Sequence, residues 1–101
     1  MTKVTAWGRM AFHVQNSDAL AKQITVFGRE HWALDCLVAA GEHGCTPIEK
    51  PGPRWSAYVF NLRSMGVDIQ TIREPHAGPF EGTHARYVLR SQVTRADGGQ
   101  A

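Results

Sequence analysis

The order of residue patterns predicts an α+β domain: three helices followed by a β-hairpin, with a short β extension in front. Three observations carry this. Apolar residues recur at helical spacing over residues 29–40 and again over residues 53–65. A Thr-Pro-x-Glu run beginning at Thr46 marks a helix start between them. After Gly66, two runs rich in β-branched and aromatic residues flank a loop dense in glycine and proline.

Residues 1–28 read as an N-terminal β extension of the same domain. Met10–Gln15 and residues 23–27 have strand composition, and Asn16-Ser17-Asp18 between them has turn chemistry. A hairpin is expected there, with one helical turn over residues 17–22 as the alternative. These strands are open to pairing within the domain or across a two-fold axis, because an unpaired edge invites either.

Over residues 29–40, Ala33, Leu34, Leu37 and Val38 make one apolar face, with Trp32 on its edge and Cys36 as a small core residue. Glu30 suits the positive end of that helix, and Gly41 stands at the position of a left-handed cap. Glu42-His43-Gly44 is a turn, and Cys45 is placed to start a short bridging strand. Thr46 caps the second helix, Pro47 takes its first position without needing an N–H, and Glu49 completes a capping box. Pro51-Gly52-Pro53 ends it at once.

The third helix spans residues 53–65, with Pro53 in its first turn. Trp55, Val59, Leu62 and Met65 form the inward stripe, and Gly66 follows the last turn. Residues 67–73 alternate as a strand, residues 74–83 are turn, and residues 84–93 form a second strand. Tyr87 and Leu89 lie on one side of it, with Arg86, Val88 and Arg90 on the other. The domain therefore spans residues 29–93, and residues 94–101, small and polar, are a flexible tail.

The chain has 101 residues, enough for one core, and its 43% hydrophobic and 20% charged content is that of a folded protein. No apolar run nears the ~20 residues of a membrane span. The opening MTKVTAWGRMAFHVQ lacks the apolar core of a secretory leader, so a cytoplasmic location is expected. Cys36 and Cys45 do not make a disulfide framework.

Charge is unevenly distributed. Residues 1–49 carry four cations against five acids. Residues 50–95 carry Lys50 and six arginines against Asp68, Glu74 and Glu81, a local surplus of four positive charges; with Asp97 the total is +2. A basic second half suits a polyanion, although a solvated face with more arginine than acid would look the same.

The chain carries no Gly-x-Ser-x-Gly, no phosphate-binding Gly-Lys loop and no carboxylate pair at helical spacing, so no catalytic role and no cofactor are expected. His43, His76, His84 and Cys45 fit no standard zinc spacing, so no metal is expected. Trp55 heads the inward stripe and reads as core. Tyr58 reads equally as core or as a stacking surface.

The runs ALDCLVAAGEHGCTP, PRWSAYVFNLRSMGVDIQT and HARYVLR together resemble the small winged helix-turn-helix domains of bacterial and phage proteins. The resemblance covers about two-thirds of the chain. Its most specific parts are Leu62-Arg63-Ser64-Met65-Gly66, Ile69-Gln70-Thr71 and Arg86-Tyr87-Val88-Leu89. It implies a DNA-binding protein, a small transcriptional regulator or phage-type accessory factor. The third helix would enter the major groove of double-stranded DNA and the hairpin, the wing, would lie on the backbone. By position it implies Lys50, Arg54, Ser56, Ala57, Tyr58 and Asn61 at or near the third helix as base or phosphate contacts. Arg73, His76, His84 and Arg86 are the corresponding wing contacts. Winged helices also serve as protein-interaction modules, which is the alternative; Tyr58, Phe60 and Phe80 would then face the partner. A homodimer reading two half-sites is compatible with either.

Overall fold

Alternation along Met10–Gln15 (β1) sends Phe12 and Val14 to one face, and both are buried. Lys22–Val26 (β2) does the same with Ile24 and Val26, and it pairs antiparallel with β1, Phe12 opposite Ile24. The expected N-terminal hairpin therefore forms within the domain. These positions come from a computed structural model that describes residues 7–17, 20–51, 54–76 and 82–96.

Gly28–Ala40 (α1) begins with Glu30 in its first turn and ends at Gly41, whose φ of 58° places it in the left-handed range. Its buried residues are His31, Ala33, Leu34 and Leu37, whereas Val38, expected inside, is exposed. His31 is wedged between Trp7 and Phe12, with ring centroids 5.0 and 5.8 Å away, and its Nδ1 donates to the Gly8 carbonyl at 2.7 Å. Val38 lies two turns further along that side of the helix, beyond this cover.

The expected second helix is a single turn, so the described residues hold two α-helices rather than three. A short 3-10 turn, Gly41–His43, follows α1. Thr46 caps as expected, its Oγ1 accepting from the Glu49 N–H at 3.0 Å, and the Lys50 N–H reaches the Thr46 carbonyl at 2.9 Å. There the winding stops. Pro51 has no N–H to continue the ladder and disfavours a helical Lys50. The Lys50 carbonyl is taken instead by the indole Nε1–H of Trp55 at 2.7 Å.

Trp55–Ser64 (α2) is the helix expected from residue 53; Pro53 and Gly52 lie outside the described residues. It buries Trp55, Tyr58, Val59 and Leu62 and ends as the leucine-arginine-x-x-glycine pattern requires. The Gly66 N–H bonds to the Arg63 carbonyl and the Val67 N–H to the Leu62 carbonyl, with Gly66 at φ 101° and Val67 buried beside Leu62.

Ile69–His76 (β3) and Gly82–Leu89 (β4) make the hairpin, in register from Ile69↔Leu89 to His76↔Gly82. Residues 74–76, 82 and 83, read as turn, belong to the strands. Pro75 is tolerated because β3 is the free edge of this sheet. Cys45 bridges β4 on its other side, exchanging two hydrogen bonds with Tyr87 at 2.9 and 2.8 Å.

The strand expected over residues 84–93 is broken at Arg90-Ser91. Gln92–Arg95 (β5) leaves the hairpin and pairs with β1, giving a second sheet of order β2-β1-β5. Thr94 and Arg95, assigned to the tail by composition, are thus strand residues; those from 97 onward lie outside the description. The buried Ser91 holds the switch between sheets. Its Oγ accepts from the Asp68 N–H at 2.8 Å and donates to Asn16 Oδ1, while Asn16 Nδ2 donates to the Gly66 carbonyl at 2.9 Å.

Gly44 packs tightly against the hairpin. Its φ is 76°, and a Cβ there would stand 2.6 Å from the Tyr87 carbonyl oxygen and 2.8 Å from Val88 Cγ2. Gly44→Ala should therefore cost roughly 2–4 kcal/mol in denaturant unfolding, a left-handed penalty plus overpacking. A loss below about 0.5 kcal/mol, the size expected of an ordinary surface change, would show that the bridge to β4 relaxes freely.

Candidate nucleic-acid interface

Because α2 turns Trp55, Tyr58, Val59 and Leu62 inward, its opposite side presents Ser56, Phe60, Arg63 and Ser64, with half-buried Ala57 and Asn61 on the margin. The helix contains no acid. At its head stands Arg54, exposed and with φ 68°, the sole non-glycine residue with positive φ among those described. A left-handed backbone costs an ordinary residue about 1–2 kcal/mol. Nothing in the Pro53-Arg54 dipeptide signals it. The Arg54 carbonyl accepts from the Ala57 and Tyr58 N–H groups at 2.9 and 3.3 Å, so the strain is fixed by the start of the helix.

Two residues expected at this face are directed elsewhere. Tyr58 is only 8% exposed and packs with Trp32 and Trp55, its ring centroid 6.3 and 6.4 Å from theirs. It is a core residue. Asn61 Nδ2 donates to Glu30 Oε2 at 2.6 Å and so ties α2 to α1. Arg63 keeps its charge exposed while its Nε and Nη2 donate to the Ile69 carbonyl and Nη2 to Thr71 Oγ1. Strand alternation puts Arg73 on the same face of β3 as Thr71, one step further out and exposed. Lys50 is exposed at the end of the Thr46 turn.

The other face of the hairpin is occupied. Arg86 Nε donates to Glu74 Oε2 at 2.6 Å, and its Nη1 donates to the His43 carbonyl at 2.9 Å and lies 3.4 Å from Glu49 Oε1. His84 Nε2 sits 3.0 Å from Glu74 Oε1. Arg86, expected on the DNA backbone, ties the middle of the hairpin to His43 and Glu49, and His84, expected there too, sits on Glu74 within the hairpin. Glu49 is drawn into this cluster, facing His43 and Arg86. His76 ends β3, and its side chain lies outside the description.

The hydrogen bond from Arg86, helped by that from His84, holds the Glu74 carboxyl below the usual carboxylate range, and the same contact raises Arg86. Burial pushes the Cys45 thiol up to about 11 and raises Cys36 as well, so both cysteines are weak nucleophiles. Among the described residues, no group of three or more His, Cys, Asp or Glu side chains is placed to hold a metal ion.

The cations of residues 50–95 thus divide into two sets. Arg86 and Arg95 are paired with carboxylates, Arg95 with Asp35 at 3.1 Å. Lys50, Arg54, Arg63, Arg73 and Arg90 make no ion pair among the described residues. The exposed Phe60 at the middle of α2 is expected from sequence only as a protein contact. Its four-residue spacing from Ser56 is the signal that places it on the outward stripe.

A family model described as a winged helix domain matches residues 23–99, which span β2 to beyond β5, and the chain belongs to that family. No curated protein and no solved structure matches the chain. Among the described residues, no helix is long and apolar enough to cross a membrane.

A carboxyl held low in the folded state contributes stability that is fully present above its ordinary range and lost as pH falls through the folded value. Acid should therefore release Arg86 from Glu74 and loosen the outer half of the hairpin. In thermal unfolding across pH 7 to 2, the wild-type melting temperature should fall more steeply than that of Glu74→Gln below the ordinary carboxylate range. Parallel curves would remove Glu74 as a contributor.

Proposed function

We propose that this winged-helix protein binds double-stranded DNA, with α2 in the major groove and the β3–β4 hairpin along the backbone, and that it acts as a small non-catalytic regulator or accessory factor. The observation that carries the reading is Arg54. An exposed arginine occupies a left-handed position that glycine fills at no cost, at the head of a helix whose outward side is free of acid. Arg63 and Arg73, without an ion pair among the described residues, support it from the far end of α2 and from β3, where they suit phosphates rather than bases. Ser56 and Ala57 lie in the first turn of the helix, within reach of base edges in this docking geometry.

A second reading is supported by the exposure of Phe60 (70%) and Ile48 (61%): the same helix would dock a protein partner through apolar contacts. The two readings separate cleanly, because Phe60→Ala would then abolish capture of the partner and leave DNA titrations unchanged.

For the leading reading, fluorescence anisotropy against pooled genomic duplexes should show binding that weakens steeply with salt. Arg54→Gly should stabilise the fold by about 1 kcal/mol by relieving the left-handed strain. It should also weaken binding and reduce the log–log salt slope by about 0.9, the contribution of one phosphate contact. No binding at low salt, or binding without a salt slope, overturns the proposal. An unchanged slope in Arg54→Gly removes Arg54 from the interface.

A further inference from the structure

Among the neutral hydrogen-bonding side chains of α2, Ser56 stays exposed in the first turn, whereas those further along are withdrawn. Tyr58 is in the core, the Asn61 amide is held by Glu30, and the Ser64 hydroxyl is turned back to the Asn61 carbonyl at 2.6 Å. At the middle of the outward side stands Phe60, 70% exposed, four residues after Ser56 and opposite the buried stripe. Half-buried Ala57 flanks it, so the centre of the face is apolar while its ends, at Arg54 and Arg63, are cationic. Cationic ends complement phosphates, and an apolar centre requires an apolar feature between them.

The major groove offers one such feature. Guanine presents two acceptors, adenine an acceptor and a donor, and cytosine a donor. Thymine alone adds a methyl group at C5. A phenyl ring laid over the other edges strips water from polar groups and returns no hydrogen bond, which is unfavourable. Laid over a methyl, it removes apolar surface from water on both sides. We propose that Phe60 is a specificity-determining residue that reads thymine C5-methyl groups, so that the preferred duplexes carry thymine beneath the second turn of α2. This rests on the DNA-binding reading above.

The test uses the full chain. Duplexes enriched from a random pool by the wild-type protein define the bound positions. Each thymine is then replaced singly by deoxyuridine, which keeps the base pair and its O4 acceptor and lacks only the methyl. At one position, deoxyuridine should weaken wild-type binding about fourfold, the factor equivalent to roughly 0.8 kcal/mol for one buried carbon group. Phe60→Ala, a change at an exposed helical position, should bind both duplexes equally while retaining the wild-type salt slope. Phe27→Ala, which alters an exposed aromatic residue outside α2, should keep the fourfold difference.

Wild-type indifference to every replacement, or a thymine preference that survives in Phe60→Ala, overturns the inference while leaving DNA binding intact. Failure to bind any duplex at low salt overturns the parent reading and this one with it.

Discussion

The indole of Trp55 is the interaction on which the rest of the fold depends. It lies 2% exposed where four parts of the chain meet. Its Nε1–H satisfies the Lys50 carbonyl of the turn before α2. Its ring stacks on Tyr87 of β4 at 5.9 Å with a 17° interplanar angle, and it lies 5.2 Å from Trp32 of α1. Burying so large a ring is a major apolar contribution, and the hydrogen bond removes the penalty its N–H would otherwise carry. The same contact completes the single turn that Pro51 ends, because it satisfies a carbonyl the interrupted helix leaves without a partner.

Around that contact the chain builds two sheets that share one core. Phe12, Val14, Ile24 and Val26 of the first sheet and Ile69, Ala85 and Tyr87 of the second hairpin join the buried residues of α1 and α2 in one cluster. The crossing at Ser91 joins them, so β5 closes the sheet that the first strands opened. This part was illegible in the sequence. The run from Tyr87 to Val93 keeps its strand composition throughout, and the break depends on Asn16 and Asp68 converging on one serine hydroxyl from distant positions. Periodicity sees neighbours along the chain and has no access to such a convergence. By contrast, β1, the ending of α2 at Gly66 and the Cys45 bridge were legible because each is encoded locally, by alternation, a glycine position and a turn.

The site shows the same division. Charge counting found the basic half but could not tell a free arginine from a paired one. Arg54 and Arg86 look alike in sequence, yet Arg86 is held by Glu74 and the His43 carbonyl while Arg54 stands exposed at a strained backbone position. Strand alternation distinguishes the two sides of β3. Thr71 and Arg73 share one face, and Glu74 lies on the other with Ile72. One side of the wing therefore anchors it to the turn before α2, and on the other Arg73 has no ion pair among the described residues.

That division ties the proposed interface to the core. A phosphate-binding arginine on a mobile loop pays the entropy of being ordered on binding, whereas one whose backbone is already fixed pays less. Arg54 is followed immediately by Trp55, whose ring is locked against Tyr87 and whose N–H reaches back to Lys50. The left-handed conformation at Arg54 stands directly before that anchored ring. Stability and presentation of the cation are consequently one property. The core holds Arg54 in an unfavourable backbone state, and the strain fixes where the head of α2 places its charge.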